Sequence, residues 1–224
     1  MAVNYKTAIV TAGLEWYVDA GNVKSNTGAG STWYDLSRYG RHQGLYGGAT
    51  FTTVNGVKCV DCTVEGRYTV DNGTTYTLTN GHTLIAWARP LADSQVSTWR
   101  TLWRTQVDDH PLLIQDASNA IGYYDNNGAG FQSYGINLGT IGKENTWTMF
   151  SLVGSGSTTT LYIDNLAYSG TVNYNAGGLT HDAFGAAAGS QSFGYVAIGM
   201  IYSRALTTAE ISRNFMAFRS RFGL

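Results

Sequence analysis

The fold of this chain is decided by the stretch YVAIGMIYSRALTTAEI at residues 195–211. Its first eight residues are mostly β-branched, aromatic or other apolar side chains, which predict a strand. Thr207 and Glu210 follow with the T-x-x-E spacing of a capping box, in which side-chain oxygens accept hydrogen bonds from free backbone N–H groups. The apolar side chains beyond recur at helical spacing: Ile211, Phe215 and Phe218. The sequence therefore predicts a β-domain closed by one short helix.

Two further stretches predict central strands. GHTLIAWARP at residues 81–90 has apolar side chains on both faces, as a strand covered on each side requires, and its final proline ends it. NTWTMFSLV at residues 145–153 has the same character, and GSGS at 154–157 predicts a turn. Farther on, Asp164-Asn165 tolerates positive φ and predicts a two-residue type I′ hairpin. With 28 Gly and only 2 Pro, the composition favours short strands and tight turns over long helices.

A second informative block lies near the N-terminus, where GLEWYVDAGN at residues 13–22 precedes GSTWYDLS at residues 30–37. This opening resembles the laminin-G-like virion proteins of tailed bacteriophages, and the C-terminal stretch resembles the end of a concanavalin-A-like or laminin-G-like jelly roll. The resemblance implies an all-β jelly-roll sandwich of two antiparallel sheets with a short C-terminal helix. The implied limits are 1–224 for the single domain, 1–12 for a candidate N-terminal arm and 206–224 for the closing helix and tail.

The surface is predicted to be sparsely charged. Charged residues make up 13% of the chain, against about 25% in an average soluble protein, and 14 basic and 15 acidic side chains give a net charge of −1. This balance lacks the positive field that binding to phosphates needs, which argues against nucleic acid. Four arginines near the C-terminus are expected either to pair with carboxylates of a neighbouring molecule or to solvate the helix end: Arg204, Arg213, Arg219 and Arg221.

The first residues have no charged leader ahead of an apolar core, and no window has the uninterrupted apolar length that a bilayer span needs. We therefore expect no signal peptide and no membrane partner. Together with the resemblance, this predicts synthesis in a host cytoplasm and localisation in the virion.

The two cysteines form the motif Cys59-Val60-Asp61-Cys62. A redox motif belongs at the start of a helix, whereas this one lies in a strand-like run, and no second pair completes a zinc site. Residues three apart in a strand point to opposite faces, which argues against a mutual disulfide. We expect two free thiols and no required cofactor.

The middle of the chain, residues 93–138, has the richest loop chemistry and is expected to carry binding loops. Aromatic faces bind the apolar sides of sugar rings, and amides or carboxylates order the hydroxyls. The candidate glycan-binding residues are Trp99, Trp103, Tyr123, Tyr124, Asp125, Asn126 and Asn127. Calcium takes oxygen ligands, and the candidate ligands for it are Asp108, Asp109, Asp125 and Asn127. The alternative for these four is that they form turns.

Catalytic motifs are missing from the sequence. Retaining glucanases present two carboxylates about 5 Å apart on one strand, and none of the four glutamates has the required spacing. No nucleophile elbow, P-loop or zinc-protease motif is present, and the four histidines are scattered. We therefore expect no catalytic residues.

Three hypotheses remain open at this stage. The first is a non-enzymatic phage virion structural protein, a capsid decoration or a surface appendage such as a tail fibre. As such it would form a homo-oligomer and contact other virion proteins. The second is a carbohydrate-binding adhesion module for host or environmental glycans, and the third is a glycosidase.

Overall fold

The computed structural model describes residues 7–71, 75–185 and 191–224. Within these ranges the chain forms two antiparallel β-sheets and one α-helix. The strands are β1 (Leu14–Asp19), β2 (Thr32–Trp33), β3 (Gln43–Tyr46), β4 (Thr50–Val54), β5 (Val57–Cys62), β6 (Tyr68–Asp71), β7 (Tyr76–Thr77), β8 (His82–Pro90), β9 (Arg100–Thr105), β10 (His110–Ile114), β11 (Ala120–Asp125), β12 (Gly130–Asn137), β13 (Thr148–Ser155), β14 (Thr158–Ile163), β15 (Tyr168–Val172), β16 (Thr180–Phe184) and β17 (Gly194–Tyr202); the helix is α1 (Thr208–Phe218).

The two sheets pack face to face, which confirms the predicted sandwich. The first sheet has the order β15-β14-β13-β8-β17-β5-β4. The strand β17 pairs with β5 along its first residues and with β1 along its later residues. The second has the order β12-β11-β10-β9-β16-β6-β3-β2, and β7 pairs with β16. The core between them is rich in large rings: Trp103 stacks on Phe184 at 4.4 Å between centroids, and Trp16 meets both edge-on.

A second hydrophobic cluster covers the outer face of the first sheet. Trp87 of β8 and Ile198 of β17 point outward into it, and Ile211 and Phe215 of α1 with Phe222 cover them. The two predicted central strands, β8 and β13, are both buried on two faces, since Ala86 and Phe150 lie in the core between the sheets and Trp87 and Met149 lie in this outer cluster. None of the described helices has the length and apolar character to cross a membrane.

The predicted helix start is confirmed in atomic detail. The Thr207 hydroxyl accepts a hydrogen bond from the Glu210 N–H at 3.3 Å, and Glu210 Oε2 accepts one from the Thr207 N–H at 2.9 Å. Arg204 forms a bidentate pair with the same carboxylate. The cap thus joins the end of β17 to the helix that covers it.

Three of the four arginines near the C-terminus form contacts within the chain, which neither sequence alternative anticipated. Beside the Arg204 pair, Arg221 pairs with the buried carboxylate of Asp19 at 2.5 Å. Arg213 donates from Nε to the Ala8 carbonyl at 2.8 Å. These contacts hold the helix and the residues after it against the sandwich.

Residues 7–12 do not form a separate arm, and this part of the prediction is wrong. Val10 is buried, its N–H donates to Asn214 Oδ1 at 2.8 Å, and its carbonyl accepts from the Tyr202 hydroxyl at 3.0 Å. The segment is fixed because it meets the hydrogen-bonding needs of buried groups on α1 and β17. Residues 1–6 of the predicted arm lie outside the described residues.

The predicted two-residue hairpin at Asp164-Asn165 is also wrong. Ile163 pairs with Tyr168, so four residues connect β14 to β15. The reason lies in Asp164, whose carboxylate accepts from the Met149 N–H at 2.9 Å and pairs with Lys143 at 2.5 Å. These bonds hold the Asp164 side chain against Met149 of β13. The chain therefore needs four residues instead of two to turn from β14 into β15.

The two cysteines are free and buried, on opposite faces of β5 as predicted. Cys62 lies in the core between the sheets, and Cys59 lies in the cluster under the helix. Burial raises the pKa of the Cys59 thiol to about 12 and also raises that of Cys62. Both groups are packing residues rather than nucleophiles or metal ligands.

Candidate functional site

Residues 93–138 form strands where the sequence predicted loops. Four consecutive strands, β9 to β12, occupy most of this segment and form one half of the second sheet. Leu112 and Ile114 point into the core, whereas Leu113 and Tyr124 belong to the opposite face. Side chains alternate between the two faces along each strand. This alternation, and not position in a loop, therefore decides which candidate side chains face outward and can bind a ligand.

The outward face of these strands carries a pocket of about 290 Å³. It is lined by Trp99, His110, Leu113, Tyr124, Asn126 and Gln191. We call this site the Trp99 pocket. An indole, a phenol ring and three polar side chains around one concavity provide both an apolar surface and directed hydrogen bonds.

The aromatic wall of the Trp99 pocket is a set of rings packed edge to face. Trp99 meets Tyr124 at 5.6 Å between centroids and 89° between planes, and it meets Phe131 at 5.4 Å and 87°. Gly122 makes room for this arrangement, because a Cβ there would lie 2.4 Å from the Phe131 ring. The rings support one another, and Trp99 and Tyr124 keep part of their surface exposed.

The polar wall is a chain of three side chains. The Thr101 hydroxyl donates to Gln191 Oε1 at 2.5 Å and lies 3.0 Å from His110 Nδ1. Because the hydroxyl hydrogen goes to Gln191, the neutral imidazole carries its own hydrogen on Nδ1 and keeps Nε2 as an acceptor. Burial, with the nearby Arg104 charge, lowers the pKa of His110 to about 4. The ring is thus neutral near pH 7.

A buried carboxylate fixes the rim of the Trp99 pocket. Asp109 Oδ1 accepts from the Asn126 N–H at 2.9 Å, and Oδ2 accepts from the Tyr174 hydroxyl at 3.0 Å. The first bond ties the β9–β10 turn to the β11–β12 turn, and the second ties both to the chain beyond β15. Tyr174 in turn stacks on Tyr123 at 3.9 Å. Asn126 is therefore held in place at the mouth of the pocket.

Of the seven predicted glycan residues, the structure brings three together in the pocket: Trp99, Tyr124 and Asn126. Trp103 and Tyr123 are 1% and 3% exposed and face the core, so the prediction that they bind a ligand is wrong. Asp125 accepts from the N–H groups of Asn127 and of Ala129, at 3.1 and 3.2 Å. Asp125 and Asn127 thus build the β11–β12 turn next to the pocket.

The calcium candidates have partners within the chain. Asp108 pairs with Arg104, Asp109 holds the rim, and Asp125 accepts from its own turn with Asn127. Among the described residues, no three His, Cys, Asp or Glu side chains come together as a metal site would require. Asp125 and Asn127 thus form a turn, whereas Asp109 joins two turns and Asp108 pairs with an arginine.

Sequence reasoning missed Thr101 of the polar wall and four further residues of the site. His110 and Phe131 are the cross-strand partners of Tyr124, so strand pairing would have revealed them. Leu113 forms the floor of the Trp99 pocket, and the apolar residues next to it in the sequence made it indistinguishable from a core residue. Gln191 reaches the pocket from a segment 90 residues from Thr101, and no local pattern could have indicated it.

No protein-family model matches the chain, and no curated protein matches it. Solved structures do match. A Trypanosoma rangeli sialidase in complex with sialic acid is similar with a TM-score of 0.63 and 17% identity, over 96% of this chain and 34% of the sialidase. The binding domain of botulinum neurotoxin serotype D is similar with a TM-score of 0.65 and 15% identity, over 91% of this chain and 51% of the toxin chain.

The binding domain of Paraclostridial Mosquitocidal Protein 1 is similar to the same degree, with a TM-score of 0.63, 14% identity and coverage of 91% and 52%. The chain spans a third to a half of the length of these three proteins. At such identities the likeness establishes a shared β-sandwich fold and nothing about the site.

Proposed function

We propose that this chain is a non-enzymatic, lectin-like binding protein that takes a glycan in the Trp99 pocket. The observation that carries the proposal is the meeting of exposed aromatic surface from Trp99 and Tyr124 with the polar groups of His110, Asn126 and Gln191. A pyranose ring has an apolar face that stacks on an indole and hydroxyls that need donors and acceptors. The pocket offers both kinds of contact within about 290 Å³.

The chemistry of the pocket favours binding over hydrolysis. Glycosidases generally need two carboxyl groups across the scissile bond. In the described part of the chain, none of the residues lining the Trp99 pocket is acidic. Three of the four glutamates serve elsewhere: Glu15 pairs with Arg41, Glu144 accepts from the Asp93 N–H, and Glu210 caps α1.

The setting that we propose is the surface of a tailed-phage virion, as a capsid decoration or an appendage subunit. Support comes from the two segments that carry the resemblance, because they form one structural unit. β1 pairs with β17, and the Ser203 N–H donates to the Gly13 carbonyl at 2.8 Å. In this setting the protein would be a homo-oligomer docked on other virion proteins, with the Trp99 pocket facing outward to adhere to glycans.

The glycan proposal is tested by screening the purified protein on a glycan array and titrating the hits by calorimetry. Trp99→Ala should reduce affinity at least about tenfold, because it removes the aromatic platform. Tyr168→Ala, which removes an exposed ring from β15 in the other sheet, is the matched control and should bind normally. A protein that retains no glycan, or a Trp99→Ala variant that binds like wild type, would overturn the proposal.

The virion proposal needs a separate test. Light scattering should detect a homo-oligomer, and the protein should bind purified phage shells or appendages that lack it. A protein that stays monomeric at high concentration and ignores particles, yet is retained by polysaccharide, would leave a free-standing carbohydrate-binding module as the function.

A further inference from the structure

A second aromatic site lies on the same sheet face as the Trp99 pocket. Tyr46 of β3 and Tyr68 of β6 are cross-strand partners, with ring centroids 5.0 Å apart. Tyr46 is 57% exposed, a large fraction for an aromatic side chain in a sheet. Tyr68 is half-buried, and the planes of the two rings are 41° apart, so the pair forms an apolar patch that the core does not use.

Strand register places this tyrosine pair level with the Trp99 pocket. Val70, Ala183 and Arg104 form one row across β6, β16 and β9. Tyr68 lies two residues from Val70 on the same face. It lies on the side of this row that leads to the N-terminal part of β9, where Thr101 pairs with Leu113 at the floor of the Trp99 pocket. Four strand intervals separate β6 from β11, which corresponds to about 19 Å at about 4.8 Å per interval. The two aromatic sites therefore lie along a line that crosses the strands.

The surface between the two sites is polar and has no excess of positive charge. Arg104 pairs with Asp182 at 3.0 Å and also with Asp108, so one positive charge faces two negative charges. Tyr68 lies near this group: burial raises the pKa of its hydroxyl, and the charges of Arg104 and Asp182 lower and raise it respectively. Hydrogen-bonding groups without a positive excess suit hydroxyls better than carboxylates or sulfates.

We propose that this face binds a linear, uncharged polysaccharide laid across the strands, with the Trp99 pocket at one end and the Tyr46–Tyr68 pair at the other. The inference rests on the proposed glycan-binding function and deepens it to a class of ligand. A span of about 19 Å between β6 and β11 exceeds the length of a monosaccharide or disaccharide, so only a longer chain can reach both aromatic sites. Stacking at two sites linked by one ligand adds affinity without any new contact at the first site.

The probes are affinity gels that contain neutral glucan, mannan or galactan, with polygalacturonate as the charged counterpart. At least one neutral polymer should retard the wild-type protein, and polygalacturonate should not. Size fractions of the retained polymer, from disaccharide to hexasaccharide, are then titrated by calorimetry. Affinity should rise about tenfold or more with length as the second site becomes reachable.

The decisive variant carries Tyr46→Ala and Tyr68→Ala together. It should bind the disaccharide like wild type and lose the gain with chain length, whereas Tyr46→Phe with Tyr68→Phe should keep it because the ring faces remain. Melting temperatures check that both variants fold. Length-independent binding by wild type, preference for polygalacturonate, or full hexasaccharide affinity in the double alanine variant would overturn the inference. Each of these results leaves the proposed function standing if Trp99→Ala still weakens binding, whereas absence of any glycan binding removes both.

Discussion

The indole of Trp87 lies face to face with the ring of Phe222, with centroids 4.1 Å apart and planes 4° from parallel. Trp87 sits in the middle of the central strand β8, and Phe222 is the third residue from the end of the chain. Phe215 of α1 stacks on the same indole at 5.6 Å, and Trp147 meets Phe222 at 5.4 Å. The last residues of the chain are therefore part of a hydrophobic core on the outer face of the first sheet.

Phe222→Ala should lower the free energy of unfolding by about 3–5 kcal/mol, because it removes a buried ring that neighbouring rings cannot replace. Met216→Ala, at an exposed position on α1, should change it by less than about 0.5 kcal/mol. Urea unfolding of the two variants measures the difference. Removal of all residues after Leu206 should give an insoluble or much less stable protein. Equal stability of Phe222→Ala and wild type would show that the closing segment is only a solvated tail.

Acid should weaken the helix cap. The Arg204 hydrogen bonds, with those from Thr207, lower the pKa of Glu210 from 4.5 to about 2. A carboxyl with a lowered folded pKa stabilises the protein fully above its unfolded pKa, and this contribution is lost as the pH falls from about 4.5 towards 2. Glu210→Gln should therefore flatten the decline of unfolding free energy in that window. Glu65→Gln, which removes an exposed charge, controls for net charge; an unchanged slope in Glu210→Gln would contradict the prediction.

The thiols should be inert in the folded protein. At pH 8 a thiol with a pKa of about 12, as at Cys59, is ionised about a thousand times less than one with a pKa of 9. Neither cysteine should react appreciably with an aromatic disulfide reagent until denaturant is added, when two equivalents should react. Chelators should leave the melting temperature unchanged. Rapid reaction of one thiol in the native state, or unfolding on chelation, would refute this.

The rim of the Trp99 pocket should depend on a tyrosine that does not line it. Tyr174→Phe removes the hydroxyl that donates to Asp109 and leaves one side of a buried carboxylate unsatisfied. We expect a loss of about 1.5–3 kcal/mol in unfolding free energy. Tyr168→Phe, at an exposed position, is the control and should be neutral. If both variants melt alike, Asp109 does not need the Tyr174 bond.

Glycan binding should be insensitive to pH between 8 and 5. The pKa of His110 is lowered to about 4 by burial and then by Arg104, so the ring stays neutral and Nε2 stays an acceptor over this range. Below about pH 4 the ring takes up a proton, and Nε2 becomes a donor. Calorimetry at several pH values measures this. An affinity that falls between pH 7 and 6 would place the pKa of His110 near its ordinary value.

Part of the candidate site could be predicted from the sequence. Trp99, Tyr124 and Asn126 were identified because aromatic and amide residues cluster in residues 93–138. The same criterion selected Trp103 and Tyr123, since composition alone does not indicate the face of a strand. Tyr123 and Tyr124 are neighbours in sequence, yet one stacks on Tyr174 in the core and the other lines the pocket. Strand boundaries and bulges decide that difference, and both depend on pairing with distant strands.

The sequence by itself determined a β-domain, its two doubly buried central strands, the capped closing helix and the opposite orientation of the two thiols. Each of these follows from local periodicity, from the spacing of cap residues or from the geometry of a single strand. Only the tertiary structure decided which aromatic rings meet in a pocket, that Gln191 completes its polar wall, and that Tyr46 and Tyr68 lie in line with it. Those relationships arise from antiparallel register across seven strands, in which residues far apart in the chain become neighbours.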